Sequence, residues 1–416
     1  MAVMGSEIQF KGYEQHQGQL FPAHLSEALD PADPVFFLDD VVEGLDLSGF
    51  EARYAALGEH AYPPRMLLKL WLFGAIEGVY SGREIARRVR WDLRFRYLAG
   101  GLDPDFRTVN RFRGRHREDF AEVFRQTVRT ARASGLAKLG RVAVDGSKVR
   151  ANTSRHKAMS HGRMQEAEAQ LEDEIAQILA QMDAVNEAED DAHGDDDGSG
   201  GLPSELQSRE QRVAKLRAVR EQLEAERGSE LKPSSQKSFA DPDANMMMTG
   251  EGSLQYCYNA QAATSQDGVI VATGVTTSPR DVNELVPMVE AVTATTRGKP
   301  RVVLADNGYL SEANLKTLRR KRQRCLVAVG REGKKPRRWP QGRYSRRMHR
   351  TLRLPWARAL YDHRKTQGER PFAEIKAVMG FRRFALRGVS KVRGEWDLVC
   401  AAFNLRRLAA LRAATG

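Results

Sequence analysis

The chain has 416 residues, more than a single hydrophobic core usually holds, and this length predicts two or three domains. Its 66 Lys and Arg residues outnumber its 54 Asp and Glu residues, so the net charge is +12 and a polyanion is the first partner to consider. The N-terminus lacks a basic region followed by an apolar core, and no uncharged apolar run approaches the length of a membrane span, so we expect a cytoplasmic protein without a membrane partner.

The cysteines argue against two classes of site. The chain contains three of them, Cys257, Cys325 and Cys400, and none forms a CxxC pair. This pattern fits neither a disulfide framework nor a zinc site. It indicates free thiols in a reducing compartment.

The first part of the chain divides into two segments. Residues 1–58, with Pro22, Pro31 and Pro34, predict a loosely structured N-terminal segment. Residues 59–138 predict a helical domain, because MLLKLWLFGAIEGV is apolar on most faces and SGREIARRVRWDLRFRYL is basic and amphipathic. Short helices with arginine-rich faces are typical of DNA-binding domains that resemble a helix-turn-helix. An ordinary helical bundle with a solvated basic face is the alternative.

Residues 159–236 differ in character from the sequence on either side. Apolar residues recur at helical spacing in two runs, which are Leu171, Ile175, Ile178, Met182 and Val185, then Val213, Leu216, Val219 and Leu223. Between the runs stands EAEDDAHGDDDGSGG, an acidic and glycine-rich stretch that cannot pack a core. The pattern predicts an inserted hairpin of two antiparallel helices with an acidic loop at its tip. We expect the loop to be solvated, with a metal or a basic partner as the alternative.

Outside the insertion, residues 139–416 alternate between strand-like and helix-like patterns. VAVDG ends one strand at Asp145, and LQYCYNAQAAT and VIVATGVTT alternate as two more. A helix is expected over residues 281–296, then a strand that ends at Asp306, a helix from about Ser311, the strand RCLVAVG and a long helix after Pro355. Three strands followed by helix, strand, helix, strand and helix is the order of the α/β ribonuclease H-like fold.

Three carboxylates lie where such a fold would bring them together. Asp145 and Asp306 each follow an apolar run, and Glu369 lies in the predicted long helix. They converge if the two strands are neighbours and the helix packs across their ends. Two divalent cations held in this way, as Mg²⁺ or Mn²⁺ on hard oxygen ligands, indicate phosphodiester chemistry in a basic protein. Taken singly, the two aspartates are also common turn formers, and Glu369 reads as a surface helix residue.

A basic segment precedes the long helix. Residues 319–350 contain fourteen Lys and Arg residues and a single acid, Glu332. Trp339, Tyr344 and Trp356 are interleaved with these cations or follow them, which favours a nucleic-acid surface over a merely solubilising one. The residues assigned to DNA contact here are Arg337, Arg338, Arg346 and Arg347.

From about Tyr62 to the C-terminus, apart from the insertion, the chain resembles the DDE transposases of bacterial insertion sequences. The motifs that carry the resemblance are YPPRMLLKL, PDFRTVNRFR, VDGSKVRAN, ADPDANMM, YNAQAA, ADNGY, YDHRKTQGERPFAEIK and LRGVSKVRGEWDLVCAAFNLRRL. The resemblance implies a ribonuclease H-like catalytic domain with a helical insertion, preceded by an all-α DNA-binding domain.

The resemblance also assigns roles to single residues. Asp145, Asp306 and Glu369 would be the catalytic residues and would bind two Mg²⁺ or Mn²⁺ ions. A tyrosine, an arginine and a lysine accompany the glutamate in such enzymes, and the matching positions here, Tyr361, Arg364 and Lys376, would hold DNA. The interval from Arg364 to Glu369 is one residue longer than in some branches of the superfamily, so Glu374 stays open as the alternative third carboxylate.

The function that the resemblance implies is DNA transposition. The enzyme would bind the terminal inverted repeats of its element, cut the DNA with water to free a 3′-hydroxyl, and transfer that end to target DNA. Its partners would be double-stranded DNA and a second copy of itself, as a homodimer on DNA in the nucleoid. Two alternatives are a DNA-binding protein that no longer cuts and a stand-alone ribonuclease H-like nuclease.

Overall fold

The computed structural model describes residues 24–54, 61–153, 158–190, 204–330 and 341–413. Within these ranges the chain forms an N-terminal group of helices, a mixed sheet flanked by helices, and a helical hairpin that projects from the sheet region. No helix among the described residues combines the length and the apolar character needed to cross a membrane.

The N-terminal segment is more ordered than the sequence predicted. Its described part contains helix α1 (Pro34–Glu43) and the short helix α2 (Ser48–Glu51), and α1 buries three apolar side chains. Over residues 24–54 the expectation of loose structure was wrong, because Pro34 occupies the first turn of α1, where a missing N–H costs no hydrogen bond. Residues 1–23 and 55–58 of this segment lie outside the described residues. Asp33 caps the helix, its carboxylate accepting from the N–H of Val35 at 2.9 Å.

The next part of the chain is helical, as predicted. Its helices are α3 (Pro64–Ile76), α4 (Gly82–Trp91), α5 (Leu93–Leu98), α6 (Phe106–Arg115) and α7 (Asp119–Ala133). Almost every residue of α3 is buried, whereas α4 buries Ile85 and Val89 and exposes arginines. These helices do not form a core of their own, because their buried side chains are continuous with those of the sheet.

The first strand, β1 (Arg141–Arg150), leads into the predicted insertion. The inserted elements are β2 (Ala158–Ser160), α8 (His161–Asp190), α9 (Ser204–Arg227) and β3 (Gln236–Ser238). Strands β2 and β3 pair at the base, and the helices run antiparallel, since Arg217 pairs with Glu168 while Arg209 pairs with Glu174. A small separate core lies between the helices near this base. Most of the predicted acidic loop lies outside the described residues.

The chain then returns to the sheet region and builds its remaining elements. They are β4 (Asn245–Met248), β5 (Leu254–Ser265), β6 (Ile270–Thr276), α10 (Leu285–Thr296), β7 (Val302–Ala305), α11 (Glu312–Arg320), β8 (Cys325–Val327), α12 (Arg343–Leu352), α13 (Pro355–Ala377) and α14 (Val389–Ala413). This is the predicted succession, with β4, α12 and α14 as additions that the predicted elements did not include.

The main sheet has the order β6-β5-β1-β7-β8, and β4 pairs with the first half of β5. Strand β5 runs antiparallel to its neighbours, whereas β1, β7 and β8 are parallel. Strand β1 does not end at Asp145 but continues to Arg150, because its ladder with β5 extends that far. Its pairing with β7 stops at Val144 opposite Ala305. Strands β1 and β7 therefore separate next to Asp145.

Helix α14 ties the sheet to the N-terminal helices. It packs on α3, α7 and β6. The buried side chain of Asn404 accepts from the N–H of Ile270 and donates to its carbonyl, each at 2.8 Å, so it caps the open edge of β6 like another strand. Trp396 donates its indole N–H to the carbonyl of Gln261 on β5. These contacts hold α14 against the edge of the sheet, next to α13, which packs on β1, β5 and β7.

Candidate active site

The register of the parallel strands brings the two predicted aspartates together. Asp145 and Asp306 are the next residues after the last β1–β7 pair, Val144 opposite Ala305. Asp306 also begins a short turn, where its carboxylate accepts from the N–H of Gly308 at 2.8 Å. Both side chains thus lie where the parallel pairing of β1 and β7 ends, at the carboxyl end of β7 and in the middle of β1. The carboxyl ends of parallel strands are a common place for active sites in α/β sheets.

Helix α13 reaches this point because of a glycine. A Cβ atom placed on Gly368 would lie 3.1 Å from both the Cβ and Oδ2 atoms of Asp145, closer than nine in ten real contacts. A larger residue at this position would require α13 or the Asp145 side chain to shift by a few tenths of an ångström. The glycine therefore allows the next residue, Glu369, to sit at the rim of the same site.

A cavity of about 380 Å³ opens at this junction. Its walls hold the three predicted carboxylates and two of the predicted cations, namely Asp145, Asp306, Glu369, Arg364 and Lys376. The structure thus brings together five side chains that lie up to 231 positions apart in the sequence, 376 minus 145. We call this cavity the carboxylate cavity.

Two cations of α13 are bound into the wall of the carboxylate cavity. The guanidinium of Arg364, only 6% exposed, donates to Oε1 of Glu369 at 3.2 Å. The ammonium of Lys376 donates to the hydroxyl of Ser147 at 2.6 Å and to the carbonyl of Lys148 at 3.2 Å, and burial lowers its pKa. Lys376 therefore connects α13 to β1, the strand that carries Asp145, whereas Arg364 pairs with Glu369 on its own helix.

The alternative glutamate faces elsewhere. Glu374 forms an ion pair with Arg406 of α14 at 3.3 Å and does not line the carboxylate cavity. Helical geometry explains the difference, since five residues rotate the side chain by about 140° around the axis. Tyr361 is also absent from the lining: its buried hydroxyl donates to the carbonyl of Ala305 at 3.4 Å, at the end of the strand that leads to Asp306.

Burial in the carboxylate cavity makes the ionised form of its aspartates unfavourable when no cation is near. Burial raises the pKa of Asp145 to about 7, and the nearby Asp306 and Glu369 add to the rise, whereas the N–H of Gly146 and the guanidinium of Arg364 lower it. Burial likewise raises the pKa of Asp306. Three carboxylates in one partly buried cavity would therefore be stabilised by a cation.

The donor set fits a divalent cation, although a finished metal centre is not assembled. Within the described ranges no group of three His, Cys, Asp or Glu side chains is close enough to hold a metal ion. Glu369 is instead drawn to Arg364. The carboxylate oxygens are hard ligands of the kind that Mg²⁺ and Mn²⁺ prefer, and Glu369 is half exposed, so its side chain has room to reorient.

A carboxylate that the sequence did not single out for the site lies beside it. Asp281 was expected at the start of a helix, but α10 begins at Leu285. The Asp281 carboxylate instead accepts from Lys148 at 3.1 Å, from Asn259 at 2.6 Å and from Gln261 at 2.9 Å. This network lies against Gly146 and Gly308, directly behind both aspartates. Its members are separated by 133 positions, 281 minus 148, and no local pattern signals them.

The predicted basic residues lie on a different element. Arg346 and Arg347 are exposed on α12, where exposed arginines recur at i, i+3, i+4 and i+7, as Arg343, Arg346, Arg347 and Arg350. Glu312 of α11 accepts from the N–H groups of Tyr344 and Ser345 and so caps this helix. Arg337 and Arg338 lie outside the described residues.

Comparison with known families adds two matches. The family described as Transposase DDE domain matches residues 228–405, and the family described as Transposase domain (DUF772) matches residues 23–115. No curated protein and no solved structure matches the chain. The first match includes Asp306 and Glu369 but begins after Asp145 and after most of the helical hairpin. The sheet register, the contact with Gly368 and the shared cavity link Asp145 to the matched region.

Proposed function

This chain belongs to the DDE-type transposases of insertion sequences, and we propose that it binds the terminal inverted repeats of its element, cleaves the DNA there and transfers the ends to target DNA. The observation that carries the proposal is the shared cavity of Asp145, Asp306 and Glu369, which lies between β1, the end of β7 and helix α13. The transposase families support the general activity, and the cavity supplies the residues for it.

The catalytic part has a ribonuclease H-like fold in this proposal. The order β6-β5-β1-β7-β8, with only β5 antiparallel to the rest of this path, supports it, as does the DDE domain itself. The helical residues 59–138 form the DNA-binding domain, and residues 139–416, interrupted at 159–236, form the catalytic domain. The enzyme acts on double-stranded DNA as a homodimer.

The chemistry must overcome the negative charge of the phosphodiester. Transposases of this family normally use divalent metal ions, and a pair of such ions activates the attacking oxygen and stabilises the leaving oxygen. Asp145, Asp306 and Glu369 would hold two Mg²⁺ or Mn²⁺ ions, with Asp145 between the other two. No serine or tyrosine nucleophile is required, because water and then the freed 3′-hydroxyl are the attacking groups.

Arg364 and Lys376 position the DNA end in this proposal. Both lie in the wall of the carboxylate cavity, where a cation can hold the scissile phosphate against the carboxylates. The guanidinium of Arg364 pairs with the carboxylate of Glu369, so a positive charge lies directly beside the third carboxylate. Tyr361 supports the strand end behind Asp306 through its hydroxyl contact with Ala305.

Replacing Arg364 by Ala should reduce end cleavage by about 10- to 100-fold while reducing end binding much less, because the side chain supports the reacting groups and not the bulk of the affinity. The measurement is single-turnover cleavage together with binding on the same duplex. Arg358→Ala is the matched control, since Arg358 forms an exposed pair with Asp362 on the same helix. Equal losses of binding and cleavage would contradict the positioning role, and Arg364→Lys, which keeps the buried charge, guards against a folding defect.

Neutralising Arg346 and Arg347 together should weaken binding to any duplex and flatten its salt dependence. Each lost phosphate contact lowers the slope of log affinity against log salt by about 0.9. The control is the pair Arg212→Ala and Lys215→Ala, which removes two exposed charges from α9. An unchanged slope for the α12 variant would show that this helix only solubilises the protein.

Incubating the full chain with Mg²⁺ and a duplex that carries its element's ends tests the proposed function. We expect a cut at the end that leaves a 3′-hydroxyl, followed by joining to target DNA. Binding to the ends without any cut would indicate a DNA-binding protein that is catalytically silent. Cutting that ignores the end sequence would indicate a stand-alone nuclease.

A further inference from the structure

The strands that lead to Asp145 and Asp306 separate at the carboxylate cavity. Their last paired residues are Val144 of β1 and Ala305 of β7. Beyond this pair the ladder no longer fixes the distance between the two aspartates. Residues that share metal ions need a fixed distance, because ligands act only within a narrow range of geometry. Contacts from other elements must therefore set it.

Asp281, in the loop between β6 and α10, lies beside both branches of this separation. A Cβ atom placed on Gly146 would lie 3.0 Å from its Oδ1 atom, and one placed on Gly308 would lie 3.5 Å from its Oδ2 atom. Gly146 directly follows Asp145 on β1, and the N–H of Gly308 donates to the carboxylate of Asp306 at 2.8 Å. The two oxygens of one carboxylate thus lie next to the neighbours of both aspartates.

Donors from two strands hold the Asp281 carboxylate in this place. Its Oδ1 atom accepts from the ammonium of Lys148 on β1 at 3.1 Å. The same atom accepts from the side-chain amides of Asn259 and Gln261 on β5, at 2.6 and 2.9 Å. Both amides belong to fully buried residues, and a buried donor without an acceptor is costly. The carboxylate and its donors therefore fix one another.

Helix capping does not account for this carboxylate. An aspartate just before a helix commonly accepts from the first N–H groups of that helix. The N-cap residue of α10 is Glu284, however, and the Asp281 side chain points to β1 and β5 instead. Asp281 also does not line the carboxylate cavity within the described part of the chain. Its position is behind the cavity, against the backbone that carries the two aspartates.

We infer that Asp281 is a positioning residue that sets the separation of Asp145 and Asp306 and so the geometry in which they hold cations. This inference rests on the proposed metal centre. Asp281 acts through the backbone at Gly146 and Gly308 and does not bind the ions itself. Replacing a residue that orients metal ligands typically weakens metal affinity by about 10- to 100-fold.

The first measurement is Mn²⁺ binding by the full chain on a pre-cleaved end duplex, followed through the paramagnetic resonance signal of free Mn²⁺. Asp281→Asn should bind as many ions as the wild type at saturation, with an affinity about 10- to 100-fold lower. An unchanged affinity would show that the carboxylate serves only the fold. Fewer ions at saturation would make Asp281 a ligand. Either result would overturn the inference.

A neutral variant separates position from charge. Asp281→Asn leaves Lys148 without its carboxylate, and the added positive charge alone would weaken the binding of a cation. Asn259→Ala removes one donor to Asp281 without changing any charge. It should still lower Mn²⁺ affinity by about 10-fold, the lower end of the range for supporting residues. Wild-type affinity in Asn259→Ala, beside a weakened Asp281→Asn, would contradict positioning.

Asp241→Asn is the matched control for a general loss of stability. Asp241 is also a buried carboxylate with donors from other elements, the hydroxyl of Tyr258 at 2.7 Å and the N–H of Gly388 at 3.0 Å. It does not line the carboxylate cavity. This variant should melt at a lower temperature and keep the Mn²⁺ affinity of the wild type. An equal loss of affinity in Asp241→Asn and Asp281→Asn would refute a specific role for Asp281.

Hydrogen exchange in metal-free buffer tests the positioning without any cation. The N–H groups of Gly146 and Gly308 each donate to the aspartate beside them at 2.8 Å. In Asp281→Asn both should exchange about 10-fold faster, as for the local loss of one hydrogen bond to a charged group. Unchanged exchange would overturn the inference. A wild type that binds no more Mn²⁺ than Asp145→Asn would instead refute the proposed metal centre, and the exchange rates would still decide whether Asp281 fixes the two strands.

Discussion

Asp145→Asn and Asp306→Asn are each expected to reduce end cleavage by more than about 100-fold while leaving end binding nearly unchanged. Residues that merely support a metal ligand cost about 10- to 100-fold when lost, so a ligand itself should cost more. Asparagine keeps the shape of the side chain and removes one anionic oxygen donor. Binding should survive because the proposed DNA-contact surface on α12 and the N-terminal helices is untouched.

The measurement is single-turnover cleavage of a labelled end duplex in Mg²⁺, with binding measured on the same preparations. Asp362→Asn is the matched control, since this exposed carboxylate pairs with Arg358 on α13 away from the carboxylate cavity. Thermal melting should show no loss of stability for Asp145→Asn, because burial already opposes ionisation of that carboxyl and raises its pKa to about 7. Cleavage near the wild-type rate in either active-site variant would rule out that aspartate as a ligand.

The second large effect separates the two candidate glutamates. Glu369→Gln should reduce end cleavage as strongly as Asp145→Asn and Asp306→Asn do, because Glu369 lines the same carboxylate cavity. Glu374→Gln should leave cleavage nearly intact. It breaks only a partly exposed ion pair with Arg406, which is worth at most about 1 kcal/mol.

Both glutamates lie on α13 and differ by five residues, so each variant is the control for the other. Equal protein yield and equal end binding would show that neither change disturbs the helix. A dead Glu374→Gln variant beside an active Glu369→Gln variant would move the third ligand one and a half turns along the helix. The proposed arrangement of the cavity would then be wrong.

Much of the sheet was predictable because its strands are short apolar runs with clear ends. The aspartates after Val144 and Ala305 were identified from that pattern alone, and the structure places them in adjacent register. The paired helices of the insertion followed from their spacing of apolar residues. These are local signals, and the structure agrees with them in the described residues, except that β1 continues beyond Asp145 to Arg150.

The parts that sequence reasoning missed depend on contacts between distant segments. Gly368 matters because of its distance to Asp145, and Asp281 because three donors reach it from β1 and β5. Neither relation has a sequence period. Helix α1 was missed for a different reason, since Pro34 was taken as a breaker although proline is favoured in a first turn.

The choice between Glu369 and Glu374 also depended on contacts between distant segments. Both residues are exposed or partly exposed positions of one predicted helix, and spacing alone left both open. The packing of α13 against β1 at Gly368 decides which side chain lines the cavity. Such packing depends on tertiary contacts, which the spacing of residues along a helix does not reveal.

The most direct test of the account is Mn²⁺ binding by the full chain on a pre-cleaved end duplex, followed through the paramagnetic resonance signal of free Mn²⁺. Wild-type and Asp145→Asn complexes are titrated side by side, so that ions bound by the DNA cancel. If Asp145, Asp306 and Glu369 hold two metal ions, the wild-type complex should bind two more Mn²⁺ ions than the Asp145→Asn complex, and Glu374→Gln should behave like the wild type. Equal Mn²⁺ binding by wild type and Asp145→Asn would contradict a metal centre built on these carboxylates.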